Sequence, residues 1–229
     1  MKTIGMIGGT SWVSTIDYYR YINTMTNERL GRLNSAKIIL YSVNFEEMKQ
    51  LADAGRWDDF GGILSDAAHR LELAGAACIL LCANTMHVSA GTVQERIGIP
   101  LIHIADVTAK EIVKQNITKV ALLGTKFTIE KDFFKSRLLH YGITAQIPGD
   151  AEREFIHESI FGELGKGIFT AETKKRFVGI MDEMKSKGNA GVVLACTEIP
   201  MLIAPSECPL PAFDTTLIHS AAAVDFALQ

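Results

Sequence analysis

Short apolar runs recur along the chain at residues 4–7, 37–42, 78–81, 101–103, 119–123, 145–147 and 192–195. Several are apolar throughout rather than alternating, which predicts strands covered on both faces, as in parallel sheets. Between them, residues 14–30, 56–74, 88–97, 107–115, 129–141, 151–166 and 171–187 carry apolar side chains at intervals of three and four. That spacing places them on one face of a helix. Pro100 and Gly142 punctuate the pattern where helix gives way to strand. Strands alternating with helices predict an α/β fold with mostly parallel sheets.

The pattern also repeats. Ile4-Gly5-Met6-Ile7-Gly8-Gly9-Thr10 is echoed by Val120-Ala121-Leu122-Leu123-Gly124-Thr125, each an apolar strand running into a turn of small residues. A second pair follows: Ile79-Leu80-Leu81-Cys82-Ala83-Asn84-Thr85 lies over Val192-Val193-Leu194-Ala195-Cys196-Thr197-Glu198. The echo predicts two similar lobes, one from residues 1–99 with 212–229, the other from residues 100–211. Ligands of open parallel sheets sit beyond the carboxyl ends of strands, where all four segments carry small polar residues. A binding cleft between the lobes is the expectation.

At 229 residues, with 48% hydrophobic residues and a net charge of -3, the chain can bury one large core or two small ones. No basic run or aromatic-and-basic stripe calls for nucleic acid or an anionic membrane, and no segment approaches membrane-spanning length. The N-terminus enters a strand directly, without a charged stretch and long apolar run, so a cytoplasmic protein is expected. The four cysteines, Cys78, Cys82, Cys196 and Cys208, lack paired spacing and are expected as free thiols. The histidines show no ligand spacing, so no metal site is expected.

The chemistry therefore rests on single residues at strand ends. Cys196 follows an apolar strand, where a helix N-terminus or backbone amides would lower a thiol pKa and make it reactive. The alternative is a buried inert cysteine, which the polar neighbours Thr197 and Glu198 disfavour. At the matching place in the other lobe, Asn84 and Thr85 offer an amide and a hydroxyl that can hold a carboxylate, or can simply cap a helix. Thr10, in the Gly8-Gly9-Thr10-Ser11 turn, can receive an anion, although the glycine spacing fits neither dinucleotide nor Walker motifs. His87 would lie in the first turn of a helix, as an orienting group, an acid or a structural histidine. Lys166, between two glycines, either pairs with a second substrate carboxylate or is a solvated helix-end lysine.

Together, Cys82-Ala83-Asn84-Thr85-Met86-His87, Ala195-Cys196-Thr197-Glu198, Gly8-Gly9-Thr10-Ser11-Trp12 and Phe213-Asp214-Thr215-Thr216 resemble the aspartate/glutamate racemase family across nearly the whole chain. The resemblance implies a flavodoxin-like fold in each lobe, a homodimer, and amino-acid racemisation without PLP or metal. It also implies one cysteine from each lobe on opposite faces of the substrate Cα. On that view Thr10, Asn84, Thr85 and Thr197 surround the substrate carboxylate, Glu198 engages the ammonium group, and Lys166 meets a distal carboxylate. The implied substrate is aspartate or glutamate.

The sequence departs from the family at one place. The first family motif is usually Cys-Asn-Thr, and its cysteine falls on Ala83, as the internal echo independently indicates by pairing Ala83 with Cys196. A methyl group exchanges no proton. Cys82 is adjacent, but a shift of one residue along a strand turns the side chain to the opposite face. Several readings stay open: a racemase working with Cys196 and Cys82, a hydroxyl or a water; a one-sided, decarboxylase-like enzyme with a single cysteine; an alanine engineered into a two-cysteine parent; and a non-catalytic amino-acid-binding protein.

Overall fold

The computed structural model describes all 229 residues and divides into two compact units. The first comprises Met1–Ile104 with Thr216–Gln229, the second Ala105–Thr215.

In the first unit, β1 (Ile4–Gly8), β2 (Ile38–Ser42) and β3 (Cys78–Leu81) form a parallel sheet in the order β2-β1-β3. β1 and β3 are fully buried and β2 is a partly exposed edge, matching the continuous apolar runs of the inner strands. The connections are α1 (Trp12–Leu30), α2 (Phe45–Asp53) and α3 (Trp57–Leu73), with a short helix α4 (Ala90–Arg96) after β3. Ser11 caps α1 by accepting from the Ser14 amide, and Asn44 caps α2 by accepting from the Glu47 amide. The core gathers Ile4, Met6, Tyr18, Ile22, Cys78 and Leu80 with Ala223, Val224 and Ala227 of the C-terminal helix, Thr215–Leu228.

The second unit opens with α5 (Ile104–Lys114) and β4 (Lys119–Leu123), followed by α6 (Lys126–Ile129) and α7 (Asp132–His140). β5 (Thr144–Gln146), α8 (Asp150–Gly162), α9 (Ala171–Ser186), β6 (Gly191–Leu194), α10 (Ile199–Leu202) and β7 (Ala212–Asp214) complete it. Its sheet is parallel in the order β5-β4-β6-β7. Leu123, Leu194, Phe177, Ile180, Met181 and Ile199 lie in its main core. The expected fold class, α/β with two parallel sheets, is the one observed.

Several details differ from expectation. Residues 212–214 form β7 against β6, so this segment belongs to the second unit rather than the first. Residues 101–103 do not make a strand: one bridge, Leu101 to Ile79, ties the segment to the first sheet. The lobe boundaries accordingly move from 99/100 and 211/212 to 104/105 and 215/216. The helix expected over 129–141 is broken at Glu130 and Lys131 into α6 and α7. No helix is long and apolar enough to cross a membrane.

Candidate active site at the strand ends

The two sheets place the repeated segments equivalently. Within the first, Ile7 pairs with Leu81 and its carbonyl accepts the Cys82 amide at 2.8 Å. Within the second, Leu123 pairs with Leu194 and accepts the Ala195 amide at 2.7 Å. Register thus aligns Leu81 with Leu194 and, two residues on, Ala83 with Cys196. The internal echo is a geometric repeat, and it sets a methyl group where the other unit has a thiol.

The turn after β1 requires its glycines. A Cβ on Gly8 would lie 2.4 Å from Thr15 Cγ2, and Gly9 has φ +104° with its would-be Cβ 2.2 Å from the Val43 carbonyl oxygen. This close approach lets the Gly9 amide donate to Thr15 Oγ1 at 2.9 Å and brings Thr10 to the strand end. Thr10 Oγ1 is buried and has no hydrogen-bond partner within the chain. Asn84, at the end of the β3 segment, is buried and makes no capping hydrogen bond to the one-turn helix Thr85–Ser89. The capping alternative for Asn84 is therefore not realised.

Cys196 is 7% exposed, and its Sγ donates to Glu198 Oε2 at 3.0 Å. Thr197 Oγ1 donates to the same oxygen at 2.8 Å. All three side chains are buried. Burial, then the charge of Glu198, pushes the Cys196 thiol well above its ordinary pKa, against the opposing pull of the Glu198 and Thr197 amides. The expected lowering does not occur: the amides are present, but burial and the carboxylate two residues on together outweigh them. The resting group is a protonated thiol.

Both Cys196 and Cys82 belong to the apolar core of their unit, but the sulfur of Cys82 meets a backbone carbonyl rather than a carboxylate. Cys82 sits in the core of the first unit, 1% exposed, with its Sγ 4.0 Å from the Leu80 carbonyl oxygen. Burial pushes its thiol far up as well. It packs as a small hydrophobe, and the one-residue offset turns it into the core.

His87 is not an available acid. It is buried, its Nδ1 bonds the Ala83 carbonyl oxygen at 3.0 Å, and its Nε2 accepts the Ile104 amide at 3.2 Å. This fixes the neutral Nδ1–H tautomer, and burial drives the pKa well below the usual histidine value. Its role is to hold the backbone at position 83. The fold brings His103 and His219 to it, with ring centroids at 4.7 and 5.5 Å. His219 accepts from Tyr18 Oη at 2.9 Å through Nδ1 and donates to the Ile102 carbonyl at 2.7 Å through Nε2. Nothing in the spacing of residues 87, 103 and 219 announces this cluster. No group of three or more His, Cys, Asp or Glu is arranged to hold a metal ion.

Lys166 lies exposed at the end of the one-turn helix Leu164–Lys166, before Gly167 at φ +76°. Asp214, in register with Leu194, and Thr215, whose Oγ1 donates to the Leu194 carbonyl at 2.9 Å, support the strand that delivers Cys196. Their place beside Leu194 follows from β7, which the hydrophobic pattern does not reveal.

Two α/β units, each built on a parallel sheet with equivalent strand ends and one bearing a hydrogen-bonded Cys-Thr-Glu set, define an enzyme-like class built on internal repetition. The profile of the Asp/Glu/Hydantoin racemases matches residues 7–223. The chain belongs to this family. A solved Yersinia pestis structure, of a protein proposed to be an Asp/Glu racemase, is 44% identical with a TM-score of 0.93, covering 100% of both chains. An aspartate racemase homologue from Pyrococcus horikoshii OT3 is 36% identical with a TM-score of 0.87, again over 100% of both chains. The broad specificity amino-acid racemase RacX of Bacillus subtilis (strain 168) is 23% identical over 167 residues, 69% of this chain and 68% of RacX.

Proposed function

We propose that this protein is a PLP-independent amino-acid racemase acting on aspartate or glutamate, atypical because Ala83 stands where a second thiol would be. The observation that carries the reading is the equivalence in register of positions 83 and 196, with an ionisable group only at the second. Family membership supplies the reaction class, and the names of the 44% and 36% identical structures supply the substrate class.

In this reading Cys196 exchanges the Cα proton. Thr10, Asn84, Thr85 and Thr197 surround the substrate carboxylate, where preorganised donors stabilise the charge that develops as Cα–H breaks. Glu198 pairs with the α-ammonium group and Lys166 meets the distal carboxylate. The buried, unsatisfied Thr10 Oγ1 supports its assignment. The reading takes no cofactor: the proton moves directly between Cα and sulfur, and the donors around the carboxylate carry the stabilisation of the carbanion. The opposite face of Cα has no thiol, so return of a proton there depends on a hydroxyl or water. We infer a homodimer as well, supported by exposed Trp12, Ile16 and Tyr19 on one face of α1. Four free cysteines suit a reducing, cytoplasmic setting.

A one-sided enzyme is the second reading, favoured by the protonated resting state of Cys196: a single acid delivers a proton to a carbanion left by loss of carbon dioxide, giving a product of one hand. Chiral chromatography of L- and D-aspartate and glutamate after incubation with the protein and its Cys196→Ser variant tests the first reading. Appearance of the opposite enantiomer, lost in the variant, supports racemisation. Unchanged enantiomers with all four substrates reject it.

A further inference from the structure

Glu198 is the carboxylate that meets the one thiol of the strand-end set. Its Oε2 accepts from Cys196 Sγ at 3.0 Å and from Thr197 Oγ1 at 2.8 Å, with all three side chains at most 7% exposed. Burial is the largest influence on the sulfur and keeps it protonated; on top of it, two opposed sets of neighbours act. The backbone N–H groups of Thr197 and Glu198 favour a thiolate, as amides around an anion do. The carboxylate disfavours it, both as a like charge and as the acceptor of the S–H proton. The amides are fixed by the backbone. The charge on Glu198, in contrast, can be cancelled by any cation that reaches it.

We propose that Glu198 is a positioning residue that keeps the proton on Cys196 in the empty site and releases it when the α-ammonium group of an amino acid takes over the carboxylate. This rests on the reading of the site as amino-acid binding. The ammonium and Glu198 form an ion pair without covalent change. The Cys196 S–H bond then breaks, its electron pair stays on sulfur, and the proton leaves to water; the amides of Thr197 and Glu198 hold the resulting thiolate. The substrate thereby produces its own base at the moment it is bound. An empty site keeps an unreactive thiol, which protects it from oxidation and alkylation, since the thiolate is the reactive form. Asp, Glu or another amino acid would trigger the change, whereas a dicarboxylate without an amino group would not.

Titration of thiolate absorbance near 240 nm, taken as the difference between the protein and its Cys196→Ser variant, isolates Cys196 from the other three cysteines. In Glu198→Gln the midpoint should fall by about one pH unit or more, a tenfold rise in thiolate at a given pH. Thr197→Val keeps the carboxylate charge and should move the midpoint by much less, which separates charge from packing. An unchanged midpoint in folded Glu198→Gln, checked by circular dichroism, overturns the proposal. The wild-type protein provides the second arm and needs no variant at Glu198. Saturating L-aspartate should lower the midpoint and succinate should leave it in place, with binding of both verified by calorimetry. Equal lowering by succinate overturns the role of the ammonium. If neither ligand nor L-glutamate binds, the amino-acid reading falls and the ammonium trigger with it, while the Glu198→Gln titration still decides whether this carboxylate holds the proton.

Discussion

The histidine cluster of the first unit makes its stability depend on acidity in a way that one substitution can isolate. His219 is fully buried, and burial pushes its pKa down to about 4, whereas an unfolded histidine titrates near 6.5. A depressed histidine pKa means that the unfolded chain binds the proton first. No stability is lost above about pH 6.5, and stability then falls as pH drops, levelling once the folded pKa is passed. At pH 5 the unfolded state is favoured by a factor of about 30, or roughly 2 kcal/mol from His219 alone. His87, also pushed down by burial, acts in the same direction. His219→Gln keeps an acceptor for Tyr18 and a donor for the Ile102 carbonyl, the two bonds the ring makes. The variant should lose some stability at every pH and about 2 kcal/mol of the difference between pH 7.5 and pH 5. Urea unfolding followed by tryptophan fluorescence is the suitable assay, because both tryptophans, Trp12 and Trp57, lie in the first unit. The same loss of stability on acidification in both proteins would refute the assignment of His219 as a buried neutral group.

Three further substitutions probe the second strand end, the Cys82 thiol and position 83. Gly124→Ala should cost about 1–3 kcal/mol, seen as a fall in Tm, because the new Cβ would lie 2.7 Å from the Ala195 carbonyl oxygen, a backbone atom that cannot turn aside; an unchanged melt would mean the strand end yields easily. Cys82→Ala should lower stability by about 1–2 kcal/mol through the cavity it leaves and preserve Cα proton exchange, and loss of exchange in the folded variant would restore Cys82 as a candidate base. Ala83→Cys should raise racemisation by about a hundredfold, the lower range for a positioned acid or base, measured by chiral chromatography; no gain would argue against position 83 as the vacant second site.

Much of the fold was legible because parallel strands buried on both faces leave continuous apolar runs, as at β1, β3, β4 and β6. The elements that escaped have physical reasons. The C-terminal helix, with Leu217, Ala221, Ala222, Ala223, Val224 and Phe226, is apolar on several sides and gives no single stripe. β7 is three residues long, too short for a period. α2 did leave a signal, Asn44 followed three residues later by Glu47, which is the spacing of a capped helix start. The echo of sequence pairs positions 83 and 196, and the registers of the two sheets repeat that pairing, since repetition survives in local order. The state of the Cys196 thiol did not follow from its strand-end place, because it depends on how deeply the sulfur is buried and on how the Glu198 side chain folds back over two residues. The meeting of His87, His103 and His219 was equally hidden, being made by segments far apart in the chain.

On the proposed reading, Cys196 alone among the four thiols exchanges a proton at Cα, and position 83 supplies none. Proton NMR of L- and D-aspartate and L- and D-glutamate in deuterium oxide tests it most directly, with the wild type, Cys196→Ser and Ala83→Cys compared. Wild-type deuterium incorporation at Cα should run ahead of inversion, be lost in Cys196→Ser, and be accompanied by faster inversion in Ala83→Cys. Absence of exchange in the wild type and in Ala83→Cys, or exchange that persists without Cys196, would contradict it.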